Sequence, residues 1–195
     1  MATVWNPADK TASISLSNTN HTAVTTVGGN EGVRATPTYH GASGKWYLEY
    51  TGITFGAGNS CRWGFADAGL SLGTATGVMG VDTAGNVNGG AGSMGSSPAG
   101  KTVCIAMDFD NKRMWARYDG GSWVGNGGSA DPAANTNGLD ISTGFTLPVI
   151  PYTRLQFAGT GTLNCGDSAF VQAVPSGFLG WDAPPPPVSY GQVIC

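Results

Sequence analysis

The chain of 195 residues is long enough for one domain with a sizeable core and too short for a second full one. Glycine fills 32 positions and charged residues make up only 11% of the chain, against about 7% and about 25% in soluble domains, so many loops and a weakly charged surface are expected. A formal charge of −3 without any run of Lys or Arg excludes a footprint for nucleic acid, and the segment from Met1 to Pro7 lacks the basic and apolar regions of a signal peptide.

No segment is apolar enough over a bilayer's thickness to insert into a membrane, so synthesis in a host cytoplasm is the expectation. Trp46, Leu48 and Tyr50 alternate with Lys45, Tyr47 and Glu49, the period of a strand with one face in a core. Cys61, Trp63 and Phe65 alternate in the same way with Arg62, Gly64 and Ala66. Residues 67–100, rich in Gly, Ala, Ser and Thr, lack strand character and read as a long loop.

The clearest alternation sets Val103, Ile105, Met107 and Phe109 against Cys104, Ala106 and Asp108. The short polar link Asp110-Asn111-Lys112 joins this run to Met114-Trp115-Ala116-Arg117-Tyr118, which predicts a tight antiparallel hairpin. Residues 119–144, rich in Gly, Asn and Asp, read as a second long loop. No stretch repeats apolar residues at helical spacing over three turns without a glycine, so the class is all-β with almost no helix. Pro184 to Pro187 predict an extended, semi-rigid stretch, which divides the chain into a sandwich domain at 1–181 and a Pro-rich tail at 182–195.

Several patterns that carry chemistry elsewhere have the wrong context here. Gly95-Ser96-Ser97-Pro98-Ala99-Gly100-Lys101-Thr102 fits the P-loop expression, but a P-loop needs a helix after it, and here a strictly alternating segment follows. Gly69-Leu70-Ser71-Leu72-Gly73 fits the nucleophile elbow without a following helix, and the only histidines are His21 and His40. Asp108 and Asp110 share a strand face and could be a glycosidase pair, but the chain holds just two glutamates, Glu31 and Glu49, and a role in closing the turn is the simpler reading. A calcium loop starting at Asp108 would need glycine where Arg113 stands. Asn20-His21-Thr22 is a glycosylation sequon, which matters only in a secreted chain.

The cysteines, Cys61, Cys104, Cys165 and Cys195, form no C-x-x-C pair, so no zinc ribbon or redox motif is indicated. Cys61 and Cys104 are expected on neighbouring strands. Cys195, beyond the proline run, is placed to form an intermolecular disulfide.

The ordered strands carry a resemblance. Ser43-Gly44-Lys45-Trp46-Tyr47-Leu48-Glu49-Tyr50, Arg62-Trp63-Gly64-Phe65-Ala66, Val103 to Asp110 with Met114-Trp115, Leu147-Pro148-Val149, Leu163-Asn164-Cys165-Gly166 with Phe170, and Pro175-Ser176-Gly177-Phe178 together resemble the SPRY (B30.2-like) domain. The head of the chain, Trp5-Asn6-Pro7 through Ile14-Ser15-Leu16-Ser17-Asn18 and then Val33-Arg34-Ala35-Thr36, is most similar to the copies found in bacteriophage structural proteins. Cys165, Asp119-Gly120-Gly121 and the glycine-rich stretch at residues 83–100 depart from the family pattern. The resemblance implies a concanavalin-like β-sandwich of two antiparallel sheets, with binding loops and no catalytic residues, metal or cofactor.

The functional expectation is therefore a non-enzymatic binding module of a phage virion, acting through loops 67–100 and 119–144. Its partners would be other virion proteins or a host surface glycan or protein, and copies would assemble as a homo-oligomer. Aromatic residues among glycines make natural contact platforms, so Trp123 and Tyr118 are the candidate ligand-binding residues, with Asn126, Asp131 and Asn135 as hydrogen-bonding partners. The alternatives are a capsid or tail decoration protein held by its C-terminal tail and, last, a carbohydrate-active enzyme using Asp108 or Asp110.

Overall fold

The computed structural model describes residues 2–36, 43–58, 60–74, 77–87, 91–143 and 146–184. In chain order the strands are β1 (Trp5–Lys10), β2 (Ser15–Ser17), β3 (Thr22–Val24), β4 (Glu31–Ala35), β5 (Lys45–Thr54), β6 (Arg62–Asp67), β7 (Val78–Asp82) and β8 (Asn86–Val87). They continue with β9 (Gly92–Ser93), β10 (Val103–Asp108), β11 (Arg113–Tyr118), β12 (Leu139–Asp140), β13 (Val149–Leu155), β14 (Thr160–Asn164) and β15 (Leu179–Gly180). Among the described residues there is no helix.

Two sheets form the sandwich. The first runs β1-β4-β13-β6-β7-β8-β9 and the second β12-β11-β10-β5-β14-β3-β2. Pairing is antiparallel throughout, apart from β15, whose two residues lie parallel to β5 at Trp46 and Tyr47. The hairpin forms as expected, with Val103 opposite Tyr118 and Asp108 opposite Arg113. Its other edge takes β5, with Tyr50 opposite Val103.

The side chains that alternate inward fill the space between the sheets: Trp46, Leu48, Tyr50, Trp63, Phe65, Val103, Ile105 and Met107 share one cluster with Trp5 and Trp181. Trp5 stacks on Tyr50 with ring centroids 6.2 Å apart. The Tyr50 hydroxyl crosses the core to donate to the carbonyls of Gly64 and Tyr152 on the opposite sheet. A buried hydroxyl without such an acceptor would be costly, so this bond fixes how the sheets stack as well as stabilising them.

The alternation suggested that β10 would bury one face, but both are buried. Residues 170–178 form a strap across the outer face of the second sheet. There Tyr47, Cys104, Ala106, Trp115 and Phe178 make a separate apolar cluster, joined by Phe170 and Val174. Cys104 therefore points away from the inter-sheet core while Cys61 lies in it, on the other sheet. The two cysteines are not on neighbouring strands, contrary to expectation, because Cys61 immediately precedes β6 and Cys104 lies in β10, strands of different layers.

The loop reading of residues 67–100 also needs correcting, since β7, β8 and β9 lie within it. The signal was hidden by Gly80, which faces Gly64 across β6 and β7. A Cβ on Gly80 would sit 2.1 Å from the Trp63 carbonyl oxygen, so only glycine lets these strands close. Within residues 119–144, β12 and three isolated bridges likewise replace a featureless loop.

Candidate functional site

The site grows from the end of the β10–β11 hairpin. Asp119, at φ 46°, turns the chain out of β11, and its carboxylate accepts the Thr102 amide at 3.0 Å while its own amide donates to Thr102 oxygen at 2.9 Å. After Gly120 and Gly121 the chain doubles back, and Val124 exchanges two backbone bonds with Ala116, at 3.0 and 2.8 Å. This excursion lays Trp123 on the outer face of the second sheet.

Trp123 is held on two sides. The Arg117 guanidinium stacks over its ring at 4.4 Å, and Tyr47 meets it edge to face at 6.5 Å. Arg117 is in turn fixed by donating to the Ala173 carbonyl of the strap at 2.8 Å. A cation over an indole and an aromatic T-contact each contribute about 0.5–1.5 kcal/mol, enough to orient the ring while leaving it half-buried.

Two hollows meet at this ring, and a third adjoins them. One of about 590 Å³ is lined by Trp123, Ser122, Ser129 and Asp131. A second of about 290 Å³ lies between Trp123, Val124, Ser93 and Gly128. The third, about 400 Å³, is lined by Tyr118, Met94, Ser93 and Ser122. The two that Trp123 lines form one groove on the outer face, and the third continues from it around the sheet edge, where Tyr118 and Met94 pack against the inter-sheet core. Gly125 sets the shape of that groove, because a Cβ there would fall 1.9 Å from the Asn137 carbonyl oxygen.

Tyr118 stands in this third hollow. Its hydroxyl donates to Ser96 oxygen at 2.8 Å, Lys101 Nζ lies 4.5 Å from its ring centre, and burial holds its phenol well above the ordinary range. Lys101 donates to Ser96 Oγ at 2.6 Å, so the segment resembling a P-loop is folded onto Tyr118 and runs straight into β10 rather than into a helix.

Of the expected ligand-binding residues, the structure brings Trp123 and Asp131 to the groove and Tyr118 to the hollow that continues from it. Asp131 also closes its own turn by accepting the amides of Ala133 at 2.8 Å and Ala134 at 3.3 Å. Asn135, at φ 53°, is the last corner of that turn. Asn126 is exposed, with its amide donating to Asn137 oxygen at 2.7 Å, and neither asparagine lines the hollows. The alternation did not single out Arg117 or Met94: the first reads as a solvent-side strand residue, and the second comes from β9's far end.

The other candidates are engaged in turns or clips. Asp108 is fully buried, accepting the Asn111 amide at 3.0 Å and Asn111 Nδ2 at 2.8 Å and facing Lys45 Nζ at 3.2 Å. Burial works against its charge, yet the Asn111 donors and Lys45 outweigh it and hold the carboxyl below the usual aspartate range. Asp110 accepts the Gly44 amide at 2.9 Å. Ser71 is exposed on a loop, and His21 pairs with Asp167 at 2.7 Å, far along the chain from that serine. His40 and Cys195 lie outside the described residues.

No family model matches the sequence, and no curated protein matches it either. The crystal structure of the SPRY domain of human HERC1 is similar, with a TM-score of 0.59 at 12% identity over 85% of this chain and 99% of that one. The fold is that of a SPRY domain. Within this SPRY fold, Ser43 to Tyr50 lead into and form most of β5, Arg62 to Ala66 lie in β6, and Val103 to Asp108 form β10. Phe178, from the closing Pro-x-Gly-Phe, meets Trp115 edge to face at 6.2 Å. The closing motif thus seals the outer cluster beside the Trp123 groove.

Proposed function

We propose that this protein is a non-catalytic binding module that holds its ligand in the groove around Trp123. The observation that carries this reading is the state of that ring, half-buried and braced by Arg117 and Tyr47, yet opening onto two hollows. Its surroundings supply serine hydroxyls and glycine backbone, a lining that suits hydroxyl-rich or peptide ligands approaching closely. The weak overall charge favours a neutral ligand.

The setting we propose is a bacteriophage particle, with the module attaching to a host surface glycan or protein. Support for it is the resemblance of the head of the chain, from Trp5-Asn6-Pro7 to Thr36, to SPRY-type modules of phage proteins. The test is binding to immobilised host envelope glycans and proteins. Replacing Trp123 by Ala is expected to cost about 2 kcal/mol, roughly a 30-fold loss of affinity, as for an aromatic anchor at the centre of a contact. Ser122→Arg, which fills the groove from its exposed rim, should weaken binding comparably with the melting temperature unchanged. Full binding by both variants would sink the reading.

A further inference from the structure

We propose that Arg62 and Arg154, side by side on the outer face of the first sheet, form a binding site for a phosphate or sulfate group. The site belongs to the other sheet from the Trp123 groove and does not depend on it.

Arg62 in β6 stands directly opposite Arg154 in β13. Both alternate away from the core, since Trp63 and Phe65 next to the first and Leu155 next to the second lie in the inter-sheet cluster. Side chains opposite one another in an antiparallel pair have Cβ atoms about 4.5–5.5 Å apart, and like charges there are destabilising. Among the described residues, no carboxylate forms an ion pair with either arginine; the pairs formed join His21 to Asp167, Arg34 to Asp9 and Lys45 to Asp108. The nearby acids are engaged elsewhere. Asp82, opposite Arg62 on β7, accepts the amides of Ala84 and Asn86, each at 2.9 Å, and Asn86 Nδ2 at 3.1 Å. Asp9 is bound at 2.6 and 2.7 Å to Arg34, the further arginine of this face.

Arg154 is only 3% exposed. Its Nε donates to the Ser60 carbonyl at 2.9 Å, and Nη2 bonds the same oxygen and the Ser60 hydroxyl. That pins one edge of the guanidinium, while Nη1 has no hydrogen bond among the described residues. Arg62, half-buried, donates through Nη1 to the Val78 carbonyl at 3.3 Å, which leaves its Nε and Nη2 without a protein acceptor. Burial, followed by the Arg62 charge, loosens the hold of Arg154 on its proton, as expected for a cation that no acid offsets. An anion between the two side chains would satisfy the unused donors and cancel the repulsion together. The planar fork of arginine takes the oxygens of phosphate or sulfate two at a time, and Arg62 gives the pair its opening to solvent.

The experiment is titration calorimetry and thermal melting of the full chain in sodium phosphate, with ionic strength held constant by sodium chloride. Phosphate is expected to bind one to one and to raise the melting temperature above that in chloride alone. Arg62→Gln should weaken phosphate binding at least about tenfold, and Arg62→Lys, which keeps the charge but loses the fork, should fall between. Arg62→Glu supplies Arg154 with a carboxylate from the chain itself. Its melting temperature without phosphate should match or exceed that of the unaltered protein and no longer respond to phosphate, a loss that unfolding does not explain. Glucose 6-phosphate identifies the source of the anion: affinity at least about tenfold above that of inorganic phosphate assigns a phosphorylated sugar, and equal or lower affinity assigns the free ion, both with the site intact. Equal melting temperatures in phosphate and chloride, or full phosphate binding by Arg62→Gln, overturns the proposal.

Discussion

Tyr47 and Glu49, two residues apart on the outer face of β5, are joined by a hydrogen bond of 2.7 Å from the Tyr47 hydroxyl to Glu49 Oε1. The carboxylate is fully buried and also accepts the amides of Val171 and Gln172, each at 2.8 Å. It is the peg on which the strap hangs. Glu49→Ala should therefore leave the buried Tyr47 hydroxyl and two partly buried strap amides without their acceptor and destabilise the fold by about 3 kcal/mol or more, since charge-assisted bonds contribute about 1.5–3 kcal/mol each. Urea denaturation measures the loss. Hydrogen exchange should show the Val171 and Gln172 amides opening well before the β10 amides, and equal protection in both places would contradict the peg.

Acid should weaken the β10–β11 turn through Asp108. Its carboxyl is held below the ordinary aspartate value of 3.8 by Asn111 and Lys45, against the opposing effect of burial. Its stabilisation is therefore complete above about pH 4 and fades as the pH falls through the lower value of the folded state. Urea midpoints between pH 2 and pH 6 should fall less steeply for Asp108→Asn than for the unaltered protein. The variant should also be the less stable of the two at pH 7. Parallel pH profiles would contradict the assignment.

Glycine at position 80 is a demand of the sheet. Gly80→Ala places a Cβ 2.1 Å from Trp63 oxygen and 2.7 Å from Gly64 Cα, both backbone atoms that cannot swing aside. β6 and β7 must separate, at a cost of about 2 kcal/mol or more. Gly95→Ala is a useful contrast, because its Cβ would meet open space and only the positive φ of 69° opposes it. A thermal melt should show a much larger shift for the first substitution.

The thiols of Cys61, Cys104 and Cys165 are buried, and burial pushes the Cys104 thiol up to about 11. Since the thiolate is the nucleophile, these groups should be inert at pH 8 in the folded state. Iodoacetamide followed by intact mass measurement should add at most one label to the native protein and four after unfolding. A rapid second label would mean that the strap or the core opens far more often than the contacts described allow.

β5, β6, β10 and β11 were legible because bulky apolar residues alternate along them without interruption. β7 was not, because Gly80 removes the side chain that would have shown the period. The outer cluster escaped notice for a related reason: Tyr47, Cys104 and Ala106 read as a solvent face, since alternation tells which residues share a side but not whether a distant strap covers it. Trp123 and Tyr118 stood out as aromatics among glycines. Ser93 reaches the groove, and Met94 the hollow that continues from it, only because β9 ends beside residues 121–128, a closeness set by the path of the chain across two sheets.

The bond between the Thr3 amide and Asp182 brings the two ends of the sandwich within a hydrogen bond of each other. A domain whose strands begin and finish at one point can be spliced into a surface loop of a larger polypeptide without prying that loop apart. The same closure makes it a candidate for circular permutation, with new ends opened at the exposed Gly127–Gly128 tip.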